Sequence, residues 1–394
     1  MFESLTPQPP DKIIALIDEF RADPRPDKLD LGVGVYRDAE GRTPVMRAVK
    51  AAEARLLQTQ DSKSYKALAG DGAFLDAMRD LVLGAEAPAD RIAAVQAPGG
   101  TGALHRLFEL AAKADSGAVV WISDPSWPNH AAMLRHLGIP QRSYRYFDPA
   151  TRGVDFAAMV EDLKGAGPRD VVLLHGCCHN PTGANLTAEQ WDVLTEMALA
   201  QGFVPMIDLA YQGFGDGLAE DVAGLRAMAA RLPEMLIAAS CSKNFGVYRD
   251  RVGAGLVLCR DAAAAALAAD NLAALNRVNY SFPPDHGAAA VTLVLTDPAL
   301  RADWEAELDA MRRRMLALRQ GLADALRRET NDGRFDFIAS HRGMFSRLGA
   351  SPEQVERLKR EHGVYMVGDS RINVAGLRED GLEALARALV AVGL

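Results

Sequence analysis

Short, continuously apolar runs alternate with longer stretches of helical periodicity from about residue 45 to residue 300. The runs at 92–96, 118–122, 171–175, 203–207, 235–239 and 254–259 are too short for helices and lack polar alternation, so they predict strands buried on both faces. With amphipathic helices between them, they imply an α/β unit whose largely parallel sheet is covered on both sides. A helix is predicted over 11–20 and another over the alanine-rich stretch 261–274, because alanine is the best helix former. The long polar helical pattern at 298–328 carries the chain out of the sheet unit. Residues 335–394 then alternate two or three strands with two helices, which reads as a smaller α+β unit. No internal repeat is visible.

Composition narrows the partners. The 394 residues carry 44 basic and 52 acidic side chains, a formal charge of -8, which argues against nucleic acid. Even Arg312-Arg313-Arg314 reads as the solvated face of the long helix. No apolar run approaches membrane-spanning length, and Met1-Phe2-Glu3-Ser4-Leu5-Thr6-Pro7 does not look like a secretory signal. A soluble, cytoplasmic protein is expected. Cys177, Cys178, Cys241 and Cys259 fall in or beside predicted strands without a C-x-x-C pair and read as reduced and buried. His175, Cys177, Cys178 and His179 are zinc-ligand types, but adjacent cysteines chelate one ion poorly and no partner pair appears, so no metal is expected.

Several strand ends carry polar chemistry. Ser240-Cys241-Ser242-Lys243 follows one apolar run, placing Lys243 at a strand's C-terminal end, where open α/β sheets bind ligands. A desolvated lysine there has a lowered pKa and attacks carbonyls as a free amine; most lysines at strand ends are simply solvated. Asp208 closes another run, with Tyr211 three residues on. Its carboxylate could keep a pyridine nitrogen protonated, the condition under which pyridoxal 5'-phosphate (PLP) accepts electrons, or could merely cap the next helix. A third run ends in Asn180-Pro181-Thr182-Gly183, a turn whose proline is a candidate for a cis bond. Gly99-Gly100-Thr101-Gly102 follows a fourth run and opens a helix, so its N–H groups could hold a phosphate, with Arg251 as cation.

Taken in order, Asn-Pro-Thr-Gly, Asp-x-Ala-Tyr, Ser-x-Ser-Lys and Arg-x-Gly at Arg251 resemble the class I aminotransferases, PLP enzymes of fold type I. The resemblance runs from Leu31-Gly32-Val33-Gly34-Val35-Tyr36 to Ser370-Arg371-Ile372-Asn373 and on to Leu377. Through His175 to Thr187 and Gly368 to Asn373 the chain is most similar to the bacterial aromatic amino acid aminotransferases, relatives of aspartate aminotransferase. It implies a large domain at 45–311 with a seven-stranded sheet and a small domain of 1–44 with 312–394. It also implies a homodimer with shared sites.

By the same resemblance Lys243 forms the Schiff base with PLP and then carries the proton, Asp208 faces the ring nitrogen, Tyr211 faces the ring hydroxyl, and Asn180 and Trp127 touch both cofactor and substrate. Trp127 would stack on the ring, and His130 would orient Asp208. Gly100, Thr101, Ser240 and Arg251 would form the phosphate cup, joined by Tyr65 of the neighbouring subunit. Arg371 would hold the substrate α-carboxylate near Gly34, and Arg277 would reach across the dimer to a distal carboxylate. The activity implied is ping-pong transamination of tyrosine, phenylalanine, tryptophan, aspartate and glutamate with 2-oxoglutarate; an aspartate aminotransferase with little aromatic activity is the alternative.

Other classes fit less well. A β-lyase or decarboxylase could share Lys243, Asp208 and Asn180, but paired arginines favour proton removal from amino acids. A transcription regulator would need a DNA-binding extension, and only a short segment precedes Leu29. A dehydrogenase would need a glycine fingerprint, yet Gly32-x-Gly34 has Arg37 where the third glycine belongs.

Overall fold

The apolar runs assemble into one sheet. The computed structural model describes residues 1–7 and 12–394, and its main sheet runs in the order Ile92–Pro98, Val252–Leu258, Met235–Ser240, Val204–Leu209, Asp170–His175, Val119–Asp124, Gln141–Arg145. Val252–Leu258 lies antiparallel to both neighbours, and every other pairing is parallel. Six strands therefore end at one edge, and this is the mostly parallel α/β sheet that the pattern predicts.

Period-2 geometry explains the two cores. Along Asp170–His175, Val171 and Leu173 enter one apolar cluster with Leu104, Leu107 and Val120. Val172 and Leu174 enter another with Ile207, Ile237 and Leu256. Strands buried on both faces cannot alternate apolar with polar residues, hence the continuous runs.

Two expectations need correction. The strand Gln141–Arg145 went unpredicted because it lies at the sheet edge, where only Tyr144 is buried; its hydroxyl donates to the Leu173 carbonyl at 2.7 Å. The arginine triplet is not one solvated face. Arg313 is exposed, but Arg314 donates to the carbonyls of Arg37 and Leu377 and sits 5.9 Å from the Tyr36 ring.

The helix Pro298–Thr330 joins two regions. Its Trp304, Leu308 and Met311 pack in the core beneath the sheet, whereas Leu318, Leu322 and Leu326 pack with Leu31, Leu358, Ile372 and Leu385. That second core also gathers the strand pairs Phe345–Arg347 with Arg371–Asn373 and Leu29–Asp30 with Val364–Tyr365. The helix Pro352–His362 shows why its local sequence folds so: Ser351 and Gln354 form a reciprocal cap, Pro352 opens it, and Gly363 ends it at φ 66°.

The predicted helix at 11–20 appears as Lys12–Ala22, and Asp11 lies outside the described residues. The alanine-rich stretch extends to Ala262–Asn279, capped by the Asp261 carboxylate. The four cysteines are free and buried. Among the described residues no helix is long and apolar enough to cross a membrane.

Candidate active site

Because six strands end at one edge, the turns after them converge there. The strand ending at Pro98 delivers Gly100 and Thr101, and the one ending at Asp124 delivers Trp127. His175 leads to Asn180, Asp208 closes its own strand ahead of Tyr211, and Ser240 leads to Lys243. The antiparallel strand starts at this edge instead, so Arg251 stands just before its first residue. With Gly34 and Arg371 from the second region, all of these line one cavity of about 300 Å³.

At one end the cavity is shaped for an anion. The helix Gly99–Ala114 begins there and presents unpaired N–H groups at the positive end of its dipole. Gly99 has φ 72°, and a Cβ on it would meet the Arg251 guanidinium at 2.5 Å; a Cβ on Gly100 would meet that of Ser240 at 3.0 Å. Arg251 is held by the Ser242 hydroxyl (3.3 Å) and the Tyr248 carbonyl (3.0 Å).

At the other end, a buried relay runs to a carboxylate. The Asn180 N–H donates to His175 Nδ1 at 3.3 Å, so Nε2 carries the His175 proton and points at Ser126 Oγ, 3.4 Å away. Ser126 in turn lies 2.9 Å from His130 Nδ1, leaving His130 Nε2 to donate to Asp208 Oδ2 at 2.9 Å. Burial raises the Asp208 pKa, but the bond from His130, reinforced by the field of Lys243, outweighs it and holds the carboxyl below its ordinary range. Burial pushes His175 down to about 3, so that imidazole is neutral.

Lys243 lies between these two ends. Its Nζ stands 4.9 Å from the Tyr211 ring centroid. Burial lowers its pKa from the ordinary lysine value, with Asp208 opposing and Arg251 assisting. Arg371 is fixed by Asn180 Oδ1 (3.2 Å) and the Gly32 carbonyl (3.0 Å), and stacks 4.3 Å from the Phe345 ring. Its Nε is buried without a partner among the described residues. Gly34 is required beside it, since a Cβ would meet Phe345 at 2.9 Å. Asn180–Pro181, like Asp124–Pro125, is cis.

Tyr65 and Arg277 are not brought to this cavity. Tyr65 is 80% exposed and stacks on Phe282 at 4.5 Å, while Arg277 is exposed at the end of its helix and donates to Ser281 Oγ at 2.5 Å. Conversely, Tyr248, Phe345 and Ser126 were not singled out from sequence. Ser126 carried a usable signal, a hydroxyl one helical turn before His130; the other two carried none.

With this geometry in place, residues 26–389 match the model of the aminotransferase class I and II family. The chain belongs to that family. This aminotransferase is 57% identical over 394 residues to the aromatic-amino-acid aminotransferase of Paracoccus denitrificans, with both chains covered in full. It is 44% identical over 395 residues to the aspartate aminotransferase of Escherichia coli K12, again with both covered in full. The solved aromatic-amino-acid aminotransferase of Burkholderia pseudomallei, covalently bound to pyridoxal phosphate, matches with a TM-score of 0.97 at 40% identity, over 100% of this chain and 99% of that one. The enzyme is a PLP-dependent aminotransferase of fold type I, acting on amino acids and 2-oxo acids.

Proposed function

We propose that this aminotransferase moves the amino group of tyrosine, phenylalanine, tryptophan, aspartate and glutamate to 2-oxoglutarate, with PLP held on Lys243. The observation that carries the site assignment is the lowered-pKa amine of Lys243 in one cavity with the ionised Asp208 and the open Nε of Arg371. The aromatic and acidic scope is supported by relatives named for both substrate classes.

The residues fit the cofactor. The cradle at Gly99 and Gly100 leaves space that a side chain would fill, and its N–H groups, Thr101, Ser240 and Arg251 suit a phosphate. Trp127 offers a ring face, Asp208 an anion for a pyridine nitrogen, and Tyr211 and Asn180 donors for a ring hydroxyl. Bound there, PLP supplies an electrophilic carbon for amines and a sink for the electrons left when a Cα proton departs.

The chain's own residues do the rest. Lys243 Nζ, whose pKa burial lowers, would take the Cα proton and return it to C4' of the cofactor, acting as base and then acid. Asp208, held ionised by His130, keeps the proton on the nitrogen it faces. Arg371 grips the α-carboxylate and so orients the Cα–H bond. The amino group stays on the enzyme between two half-reactions, which makes the kinetics ping-pong.

Tyr65 and Arg277 serve the site of a second copy of the chain; their exposure away from their own cavity supports this. We also assign residues 45–311 to a large domain and 1–44 with 312–394 to a small one, supported by the separate cluster that joins Leu31 to Leu318 and Leu385. The cytoplasm is the compartment we infer. Steady-state rates with tyrosine, phenylalanine and aspartate against 2-oxoglutarate test the proposal. Parallel double-reciprocal lines with all three support it, and turnover of aspartate alone replaces it with a plain aspartate aminotransferase.

A further inference from the structure

Cys177 and Cys178 take no part in the chemistry above, yet their placement is unusual. They follow Gly176, whose N–H donates to the Asp208 carbonyl at 2.9 Å and whose position admits no side chain, since a Cβ would meet Leu209 at 2.9 Å. In extended backbone two successive side chains point apart. Here Cys178 has φ 52°, which breaks the alternation, and both sulfurs and a carboxylate oxygen of Asp221 lie within 4.8 Å of one another, all buried. Asp221 is itself immobile, accepting N–H bonds from Gly213, Gly215 and Asp216 at 2.8–2.9 Å. A cavity of about 160 Å³ reaches Cys177 and Asp221 and is walled by His175, which also lines the active-site cavity.

We propose that Cys177 and Cys178 form a dithiol site for a trivalent arsenical, reached through this second cavity, and that its occupation slows the active site. Soft thiolate ligands suit such a centre. In the condensation with an organoarsenic oxide, two S–H bonds and the arsenic–oxygen bonds break, two arsenic–sulfur bonds form, and the oxygen leaves with both protons as water. Arsenic stays trivalent, so no oxidant is involved. A zinc ion suits the site less. The hydrogen bond that Cys177 donates to Cys178, and then burial, raise the Cys177 pKa well above the ordinary thiol value, and burial raises that of Cys178. A dication would have to displace both protons unaided. The adduct would grip the loop between His175 and Asn180, and Asn180 holds Arg371.

The test treats the holoenzyme with phenylarsine oxide. One adduct per chain is expected, with a mass gain of one phenylarsine oxide less one water, mapped to the peptide holding both cysteines. Turnover should fall in step with the adduct, at least tenfold at full occupancy, and return with 2,3-dimercaptopropanol but not with excess monothiol. Cys177→Ser and Cys178→Ser should each abolish the monothiol-resistant adduct, while Cys259→Ser keeps it. Absence of the adduct from the native wild-type enzyme overturns the site, as does its mapping elsewhere. An adduct that leaves turnover intact overturns the coupling. The mass and mapping arms need only wild-type protein, so they decide the site even where a serine variant misfolds or the transamination reading fails.

Discussion

His130 Nε2 donates to Asp208 Oδ2 at 2.9 Å, and both groups are buried at the end of a relay that starts from the main-chain N–H of Asn180. A charge at that place decides whether a pyridine nitrogen keeps its proton, whereas the Asn180 side chain is a neutral amide whose oxygen shares the Arg371 guanidinium with the Gly32 carbonyl. Asp208→Ala should therefore lower kcat by roughly 10²-fold or more, in the range found for removal of a preorganised electrostatic group. Asn180→Ala should cost about 0.5–1.5 kcal/mol, roughly two- to twelvefold. Equal losses in steady-state assays would show that the acid is assigned wrongly.

Lys243 stands over the Tyr211 ring with its pKa lowered. Borohydride treatment of the holoenzyme, followed by peptide mapping, should find the cofactor fixed to Lys243; recovery on any other lysine contradicts the mechanism. Lys243→Ala should still bind cofactor through Gly100, Thr101, Ser240 and Arg251, and it should lose nearly all turnover. Absorbance titration separates these two effects.

What could be read from sequence was what local pattern carries. Lys243, Asp208 and Asn180 each close an apolar run, and strands buried on both faces must be apolar throughout, so both the strands and their chemical ends stand out. Gln141–Arg145 buries only Tyr144, and one buried position makes no pattern. Tyr248 meets the Tyr36 N–H across 212 positions of chain, and the Arg371–Phe345 stack likewise depends on how two strands pair; no local spacing encodes such contacts. The arginine triplet misled because successive helical residues point about 100° apart, so three in a row cannot share a face. Tyr65 and Arg277 came from the family resemblance alone, and their own chain gives them no place in its cavity.

Acid should unfold the enzyme through its buried histidines. Burial, helped by Arg319 and Arg342 and opposed by the Arg152 carbonyl, pushes His341 down to about 4, and His175 is down to about 3. Both folded values lie below the ordinary 6.5, so the unfolded chain binds more protons in between. Stability is full above pH 6.5 and falls as pH drops towards 4 and then 3. Denaturant melts across this window should slope less steeply in His341→Gln than in the wild type; identical slopes contradict the assignment.

Arg319 is fully buried with no carboxylate beside it among the described residues, and burial pushes its pKa down to about 9. It donates instead to the carbonyls of Ile338, Gly343 and Phe345 and to Ser346 Oγ, at 2.7–3.2 Å. These bonds hold the segment that presents Phe345 to Arg371. Arg319→Met keeps the apolar stem but strands several buried acceptors, which lose about 1–3 kcal/mol each, partly offset by relief of a buried cation. A net loss of roughly 2–4 kcal/mol in chemical denaturation is expected, and an unchanged midpoint would refute it.

The shared site is tested by mixing subunits. Tyr65 and Arg277 are exposed and lie outside their own cavity, as expected of residues that complete a neighbour's site. In a hybrid of a Lys243→Ala chain with an Arg277→Ala chain, one site carries both substitutions. The other combines the intact Lys243 of one chain with the intact Arg277 of the other, so aspartate turnover should return towards half the wild-type rate per dimer. Arg277→Ala alone should cost aspartate about 2–5 kcal/mol, the usual loss when one partner of a desolvated charge pair is truncated. Phenylalanine, which presents no second carboxylate, should lose far less. Once mass spectrometry confirms subunit exchange, hybrids that recover no aspartate turnover, or an active monomer, would show that each chain builds its site alone.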